Sequence, residues 1–245
     1  IADQIAEQGH DVLIISLEMA RNEIIAKSIS RNTIVEVINS GGSTRNAKTV
    51  RGITTGRKYQ NYNVTELDLI KTAINNYGKF ADHIYIVEGI GNIGVKEVRM
   101  MVEKHHQYTG NTPILIIDYL QILAPYNERA TDKQNTDKAV LELKRISRDY
   151  KIPVIGISSF NRDNYNNAVG MQSFKESGAI EYSSDVLIGL QFKGVGESGF
   201  DANEAKSRNP REVELVILKN RNGQTGTKLE LDFYAMFNFF EERKK

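Results

Sequence analysis

Short, unbroken apolar runs recur along the chain. Between them lie longer stretches in which apolar residues return every third or fourth position. The runs at 11–17 (DVLIISL), 83–88 (HIYIVE), 113–118 (PILIID) and 153–158 (PVIGIS) have the length and β-branched content of strands. The stretches 1–8, 20–31, 64–80, 94–108 and 136–150 read as helices; in 64–80, Leu67, Ile70, Ala73, Ile74 and Tyr77 share one face. VLIIS, ILIID and PVIGIS do not alternate with polar residues, so both of their faces need cover. Strands spaced by helices predict an α/β fold with a mainly parallel, twisted sheet flanked by helices. Three later runs, 185–192, 212–219 and 227–233, have no helix between them and predict antiparallel strands at the C-terminal edge. No repeat or linker divides the chain, so one domain is expected over 1–245.

Three segments break the rhythm and are expected as loops. Residues 41–63 carry Arg45, Lys48, Arg51, Arg57 and Lys58 and no acid; 161–175 is rich in asparagine; 193–211 is polar and contains Gly194, Gly196 and Gly199. Long loops in a compact domain are functional or mobile. For 41–63 the choice lies between DNA contact and a solvated, mobile loop, with the second slightly favoured.

Composition narrows the class. The 245 residues are 40% hydrophobic and 26% charged, as in globular proteins. The absence of cysteine excludes disulfides and thiolate metal sites and fits a cytoplasmic protein. No apolar run reaches membrane-spanning length. The net charge of +1 means that any nucleic-acid binding must come from local clusters. The chain opens inside a helical pattern, with Ile1, Ile5 and Ala6 before Gly9, and has neither an initiator methionine nor a leading strand. A domain truncated before or within its first helix is expected.

Candidate chemistry gathers where parallel strands end, the usual ligand position in open α/β sheets. VLIISLEM ends on Glu18, ILIID on Asp118 and PVIGISS on Ser158 and Ser159. Two such carboxylates suit a magnesium ion held through water, and the orienting of an attacking water. Equally, Asp118 could cap the next helix and Glu18 could be a solvated helix-start residue. In LKNRNGQTGTKLEL, Lys219 and Arg221 precede an Asn222-Gly223 hairpin signal; a solvated basic turn is the plainer alternative. In FKESGAIEYSSD, Lys175 beside Gly178 suits a phosphate contact, and a helix start with Ser177 as N-cap is the alternative.

Taken in order, VLIISLEM, ILIIDYLQIL, PVIGISSFNR, KESGAIEYSSD and KNRNGQTG resemble the C-terminal motor domain of the DnaB family of hexameric replicative helicases, over roughly residues 1–240. The resemblance implies a RecA-like P-loop NTPase core that uses ATP and Mg2+. It implies that Glu18 polarises the attacking water and that Asp118 holds the magnesium-bound water. Lys219 and Arg221 would reach the γ-phosphate bound by the neighbouring subunit, with Arg221 as the finger. Lys175, Glu176 and Gly178 would grip single-stranded DNA in the central channel. Asn161 and Arg162 would close the sensor motif that starts at Ser158 and Ser159, with Arg162 also placed near DNA. Partners implied are single-stranded DNA, a homo-oligomeric ring, a primase and a helicase loader. A non-catalytic DNA-binding or helicase-assembly paralogue and a RecA-like recombinase are the alternatives.

Two departures stand out. Ser159 occupies the place where the family carries a longer glutamine. No G-x-x-x-x-G-K-[ST] phosphate loop occurs; the Gly78-Lys79 pair ends a helix rather than opening one. The chain alone is therefore expected to be inactive. Loss of the strand that leads into such a loop would also leave an apolar groove in the sheet.

Overall fold

The computed structural model describes residues 1–89, 93–160, 167–174 and 178–243. Its elements are α1 (Ala2–Ala6), β1 (Val12–Ser16), α2 (Arg21–Asn39), α3 (Val50–Thr54), α4 (Gly56–Tyr59), α5 (Val64–Gly78), β2 (Ile84–Glu88), α6 (Val95–Thr109), β3 (Ile114–Asp118), α7 (Asp132–Tyr150), β4 (Val154–Gly156), α8 (Gly178–Ser183), β5 (Val186–Phe192), α9 (Ala202–Ser207), β6 (Arg211–Asn220), β7 (Lys228–Tyr234) and β8 (Phe239–Glu242).

β2, β1, β3 and β4 lie side by side in that order, all parallel. The alternation of side chains along each strand divides the apolar runs between two cores. Leu13, Ile15, Leu115 and Ile117 point to one face, where Val98 and Val102 of α6 and Leu143 and Ile146 of α7 cover them. Val12, Ile14 and Ile116 point to the other face and meet Ala6, Phe80 and the α2 residues Ile24 and Ile25. Every residue of β1 is buried. The unbroken runs therefore mark a doubly covered sheet, as the sequence predicts.

β5 to β8 form an antiparallel sheet in sequence order, with the hairpin expected at Asn222-Gly223 between β6 and β7. This is a second four-stranded sheet, not an extension of the first: no strand pairing joins β4 to β5 among the described residues. β5 buries Leu187 but leaves Val186, Ile188 and Leu190 about half exposed.

Other boundaries differ from expectation for packing reasons. α2 runs on to Asn39, well past residue 31. The β-branched tail that disfavours a helix locally is held by burial of Ile34 and Val37 against Ala47 and Phe237. On α5 the buried positions are Ile70 and Ala73, whereas Leu67 and Ile74 face outward. The segment 41–63 is built, not loose: it contains a 3-10 turn, α3 and α4. Its Lys48 is buried, pairs with Glu66 and lies 4.8 Å over the Tyr62 ring. Gly194, Gly196 and Gly199 all take positive φ, so the 193–211 connection turns where side chains other than glycine fit poorly, before α9 forms.

Candidate nucleotide and DNA site

The strand register fixes the first part of the site. Ser16 at the end of β1 stands beside Glu88 of β2 and Asp118 of β3, so three strand tips are level. The chain leaves β1 through a tight turn. Ser16 Oγ donates to the Met19 carbonyl at 2.7 Å and accepts from the Met19 N–H at 3.2 Å. The Leu17 N–H donates to the Asp118 carbonyl at 2.9 Å, which ties the SLEM turn to the tip of β3. Glu18 projects from this turn into solvent.

Asp118 is half-buried, and its carboxyl is pushed above the ordinary value. Burial is the main cause, the negative charge of Glu18 adds to it, and Lys27 on α2 opposes it. The two carboxylates therefore sense each other, with a lysine in electrostatic reach. Asp118 does not cap the following turn, and Glu18 is solvent-exposed two residues before the cap of α2. The 3-10 turn 120–122 follows Tyr119 without a side-chain cap, and the cap of α2 is at Ala20, whose N–H donates to Glu23. The Asp118–Tyr119 peptide is cis. Glu88 instead accepts the Arg21 N–H at the start of α2.

Gln121 joins the segment that follows β4 to the turn that follows Asp118. Its Nε2 donates to Ser158 Oγ at 2.8 Å and to the Ser159 carbonyl at 3.3 Å, and its Oε1 accepts from the Ser159 N–H at 3.4 Å. The short Ser159 is thus paired with an amide from IDYLQ. Asn161 and Arg162 lie outside the described residues, as do Lys175 and Glu176.

Gly178 opens α8. A Cβ there would meet nothing nearer than the Tyr182 ring at 3.8 Å, so internal packing does not demand glycine. α8 is held at both ends. The Ala179 N–H donates to Asp137 of α7 at 3.1 Å. Lys219 Nζ donates to the carbonyls of Glu181 at 2.7 Å and Tyr182 at 3.4 Å. Arg221 pairs with Asp185 at 2.8 Å. Lys219 and Arg221 are therefore both engaged within the chain, although Arg221 stands exposed in the turn that follows β6. They stand on the second sheet, apart from Glu18 and Asp118, and no hydrogen bond or ion pair joins the two groups among the described residues.

The sequence offered no signal for Lys27 or Lys144. Gln121 and Asp185 stood inside quoted motifs, and only the fold shows what they touch. An apolar cleft lined by Phe160, Phe192 and Phe233 lies on the antiparallel sheet and contains none of the residues above.

A family model described as the DnaB-like helicase C terminal domain matches residues 1–242. The chain belongs to that family. Among its DnaB-like relatives, it is 27% identical over 245 residues to the replicative DNA helicase DnaC of Bacillus subtilis, covering 98% of this chain and 48% of that protein. It is 25% identical over 240 residues to the replicative DNA helicase DnaB of Leifsonia xyli, covering 95% and 46% respectively. The chain thus spans about half the length of the curated relatives it matches. A solved structure described as an ATPase domain shares the fold with a TM-score of 0.80 at 21% identity, over 99% of this chain and 78% of that one. A DnaB-like replicative helicase, studied for its interactions with primase, gives 0.78 at 21% identity over 98% and 52%. The RecA-like core implied by the motif order is therefore the fold of this chain.

The donor set fits magnesium. Among the described residues no group of three His, Cys, Asp or Glu side chains could form an all-protein metal cage. One or two carboxylates, completed by water and substrate phosphates, are how Mg2+ is ordinarily held. No described helix is long and apolar enough to cross a membrane.

Proposed function

We propose that this domain is the ATP-driven motor of a replicative DNA helicase, translocating on single-stranded DNA with ATP hydrolysed at subunit interfaces. One observation carries the proposal: Asp118 ends β3 level with the end of β1, whose following turn carries Glu18 within electrostatic reach, while Lys219 and Arg221 belong to β6 of the other sheet and the turn after it. A ring in which each copy lends its basic pair to the next would complete the site.

Asp118 would hold Mg2+ through water, and the ion would neutralise charge on the ATP phosphates. Glu18, exposed beside it, would accept a hydrogen bond from the attacking water and orient it. Arg221 of the adjoining copy would stabilise charge on the transferred phosphoryl oxygens, a contribution of ~10³–10⁵ in rate in the best-studied systems. Ser158 and Ser159, tied to Gln121, would respond to the phosphate at the sensor-strand end. Lys175, Glu176, Gly178 and Arg162 would contact the DNA backbone. A primase and a loader are the partners to seek.

The 245 residues contain no G-x-x-x-x-G-K-[ST] phosphate loop, so in this reading the cradle of backbone N–H groups would be supplied by residues other than these. Among the described residues, the unpaired edges of β4 and β5 offer a place for the strand leading into such a loop.

The test uses rings of the full-length protein that mix Arg221→Ala with Glu18→Gln subunits. Each variant alone should be inactive. Random mixing should regenerate an intact site at roughly one interface in four, with matching recovery of ATPase. No recovery would count against a site shared between subunits and favour the non-catalytic assembly role.

A further inference from the structure

Arg221 is held twice by a residue that the proposed mechanism does not use. The Asp185 carbonyl accepts the Arg221 N–H at 2.9 Å. Asp185 Oδ1 lies 2.8 Å from Arg221 Nη1, and its Oδ2 accepts from Lys144 Nζ of α7. The Asp185 carboxyl sits below its ordinary value. The hydrogen bond from Lys144 is the largest cause, partial burial opposes it, and the charges of Lys144, Arg221 and Lys219 add.

The Arg221 and Asp185 side chains are 54% and 52% exposed. An ion pair in so much water contributes little to stability. It can still fix orientation. A guanidinium is planar with five N–H donors, and Asp185 engages one of its corners. Lys144 occupies the other carboxylate oxygen, which disfavours a two-pronged Asp185–Arg221 fork that would neutralise the guanidinium. Two cations share one anion, so the trio keeps a net positive charge on the surface that carries Arg221.

The geometry points to Asp185, shared with Lys144, as the positioning residue that aims Arg221 at the phosphate bound by the neighbouring subunit. This rests on the reading of Arg221 as a finger acting between copies. Asp185 touches no substrate; it acts through the guanidinium.

The experiment uses full-length rings. Asp185→Asn should lower kcat by ~10²-fold, the scale of a misaimed catalytic group. KM for ATP and the melting temperature should stay unchanged, and Asp185→Glu should restore part of kcat. Lys144→Met, which frees the second carboxylate oxygen, should also lower kcat at constant KM. In mixed rings, Asp185→Asn with Glu18→Gln should regain ATPase, because the two defects lie on opposite sides of the interface. Asp185→Asn with Arg221→Ala should not, because both lie on one side. A rise in KM at constant kcat, recovery in the second mixture, or wild-type kcat in Lys144→Met would overturn the role. If Arg221→Ala with Glu18→Gln fails to recover, the shared site itself falls. If that mixture recovers and Asp185→Asn with Glu18→Gln does not, only the role of Asp185 falls.

Discussion

Lys48 and Glu66 are joined across the start of α5, with the lysine buried and its ammonium against the Tyr62 ring. The hydrogen bond from Lys48 is also the main reason that the Glu66 carboxyl lies below its ordinary value. One of the five basic residues in 41–63 is thus an internal tie, and it holds the segment against α2 and α5. Its backbone N–H donates to Thr33, and its carbonyl accepts from Ser30.

Lys48→Ala should therefore loosen 41–63 without touching the carboxylates at the strand tips. Limited trypsin digestion checks it: cleavage after Arg51, Arg57 or Lys58 should accelerate several-fold, since local opening sets such rates. An unchanged digestion rate would mean that the segment is held by its short helices alone.

The 245-residue chain by itself should bind ATP poorly and turn it over negligibly, because the β- and γ-phosphates lack their N–H cradle. Magnesium-dependent turnover of ~1 s⁻¹, the low end for ordinary enzymes, would sink this expectation.

Lys175→Ala in the full-length protein should weaken single-stranded DNA binding with little regard to sequence. Loss of one phosphate contact should reduce the slope of log K against log salt by ~0.7. A slope identical to that of the unaltered protein would remove Lys175 from the DNA path.

At the opposite end of the parallel strands, Asp11 is buried and accepts from His83 at 2.8 Å, His105 at 3.0 Å and Asn111 at 3.1 Å. Burial alone would raise its carboxyl, but the hydrogen bonds from His83, Asn111 and His105 outweigh it, and the carboxyl lies below its ordinary value of 3.8. A depressed carboxyl stabilises the fold above its unfolded pKa, and this stability is lost as pH falls through the folded one. Asp11→Asn should cost ~1–3 kcal/mol near neutrality. Denaturant melts should show the gap from the unaltered protein closing below pH ~4. A gap that widens in acid would contradict the assignment.

How much of this was legible in the sequence depends on the range of the interaction. β1 and β3 were legible because burial on both faces, complete in β1 and broken only at the ends of β3, leaves an unbroken apolar run. That Glu18 lies within electrostatic reach of Asp118 follows from the ends of β1 and β3 being level. The tail of α2 was not legible, because residues 32–39 are helical through contacts with Phe237 in a distant part of the chain. The grip on Arg221 was hidden for the same reason: Lys144, Asp185 and Arg221 come from three separate parts of the chain, and no local pattern marks charges that meet only in the fold. The division into two sheets was equally unreadable, since a strand run does not disclose which neighbour it lacks.

α8 is six residues long, too short to persist as a helix on its own. Its shape is imposed by Asp137 at one end and Lys219 at the other. A segment pinned in this way spans roughly 9 Å between its two anchors and could act as a connecting rod. The sequence just ahead of it is the proposed DNA grip, and the side chain at its far end sits two residues before Arg221. A tug on the strand of DNA and a swing of the finger would then be one displacement, felt at two ends of the same stiff piece.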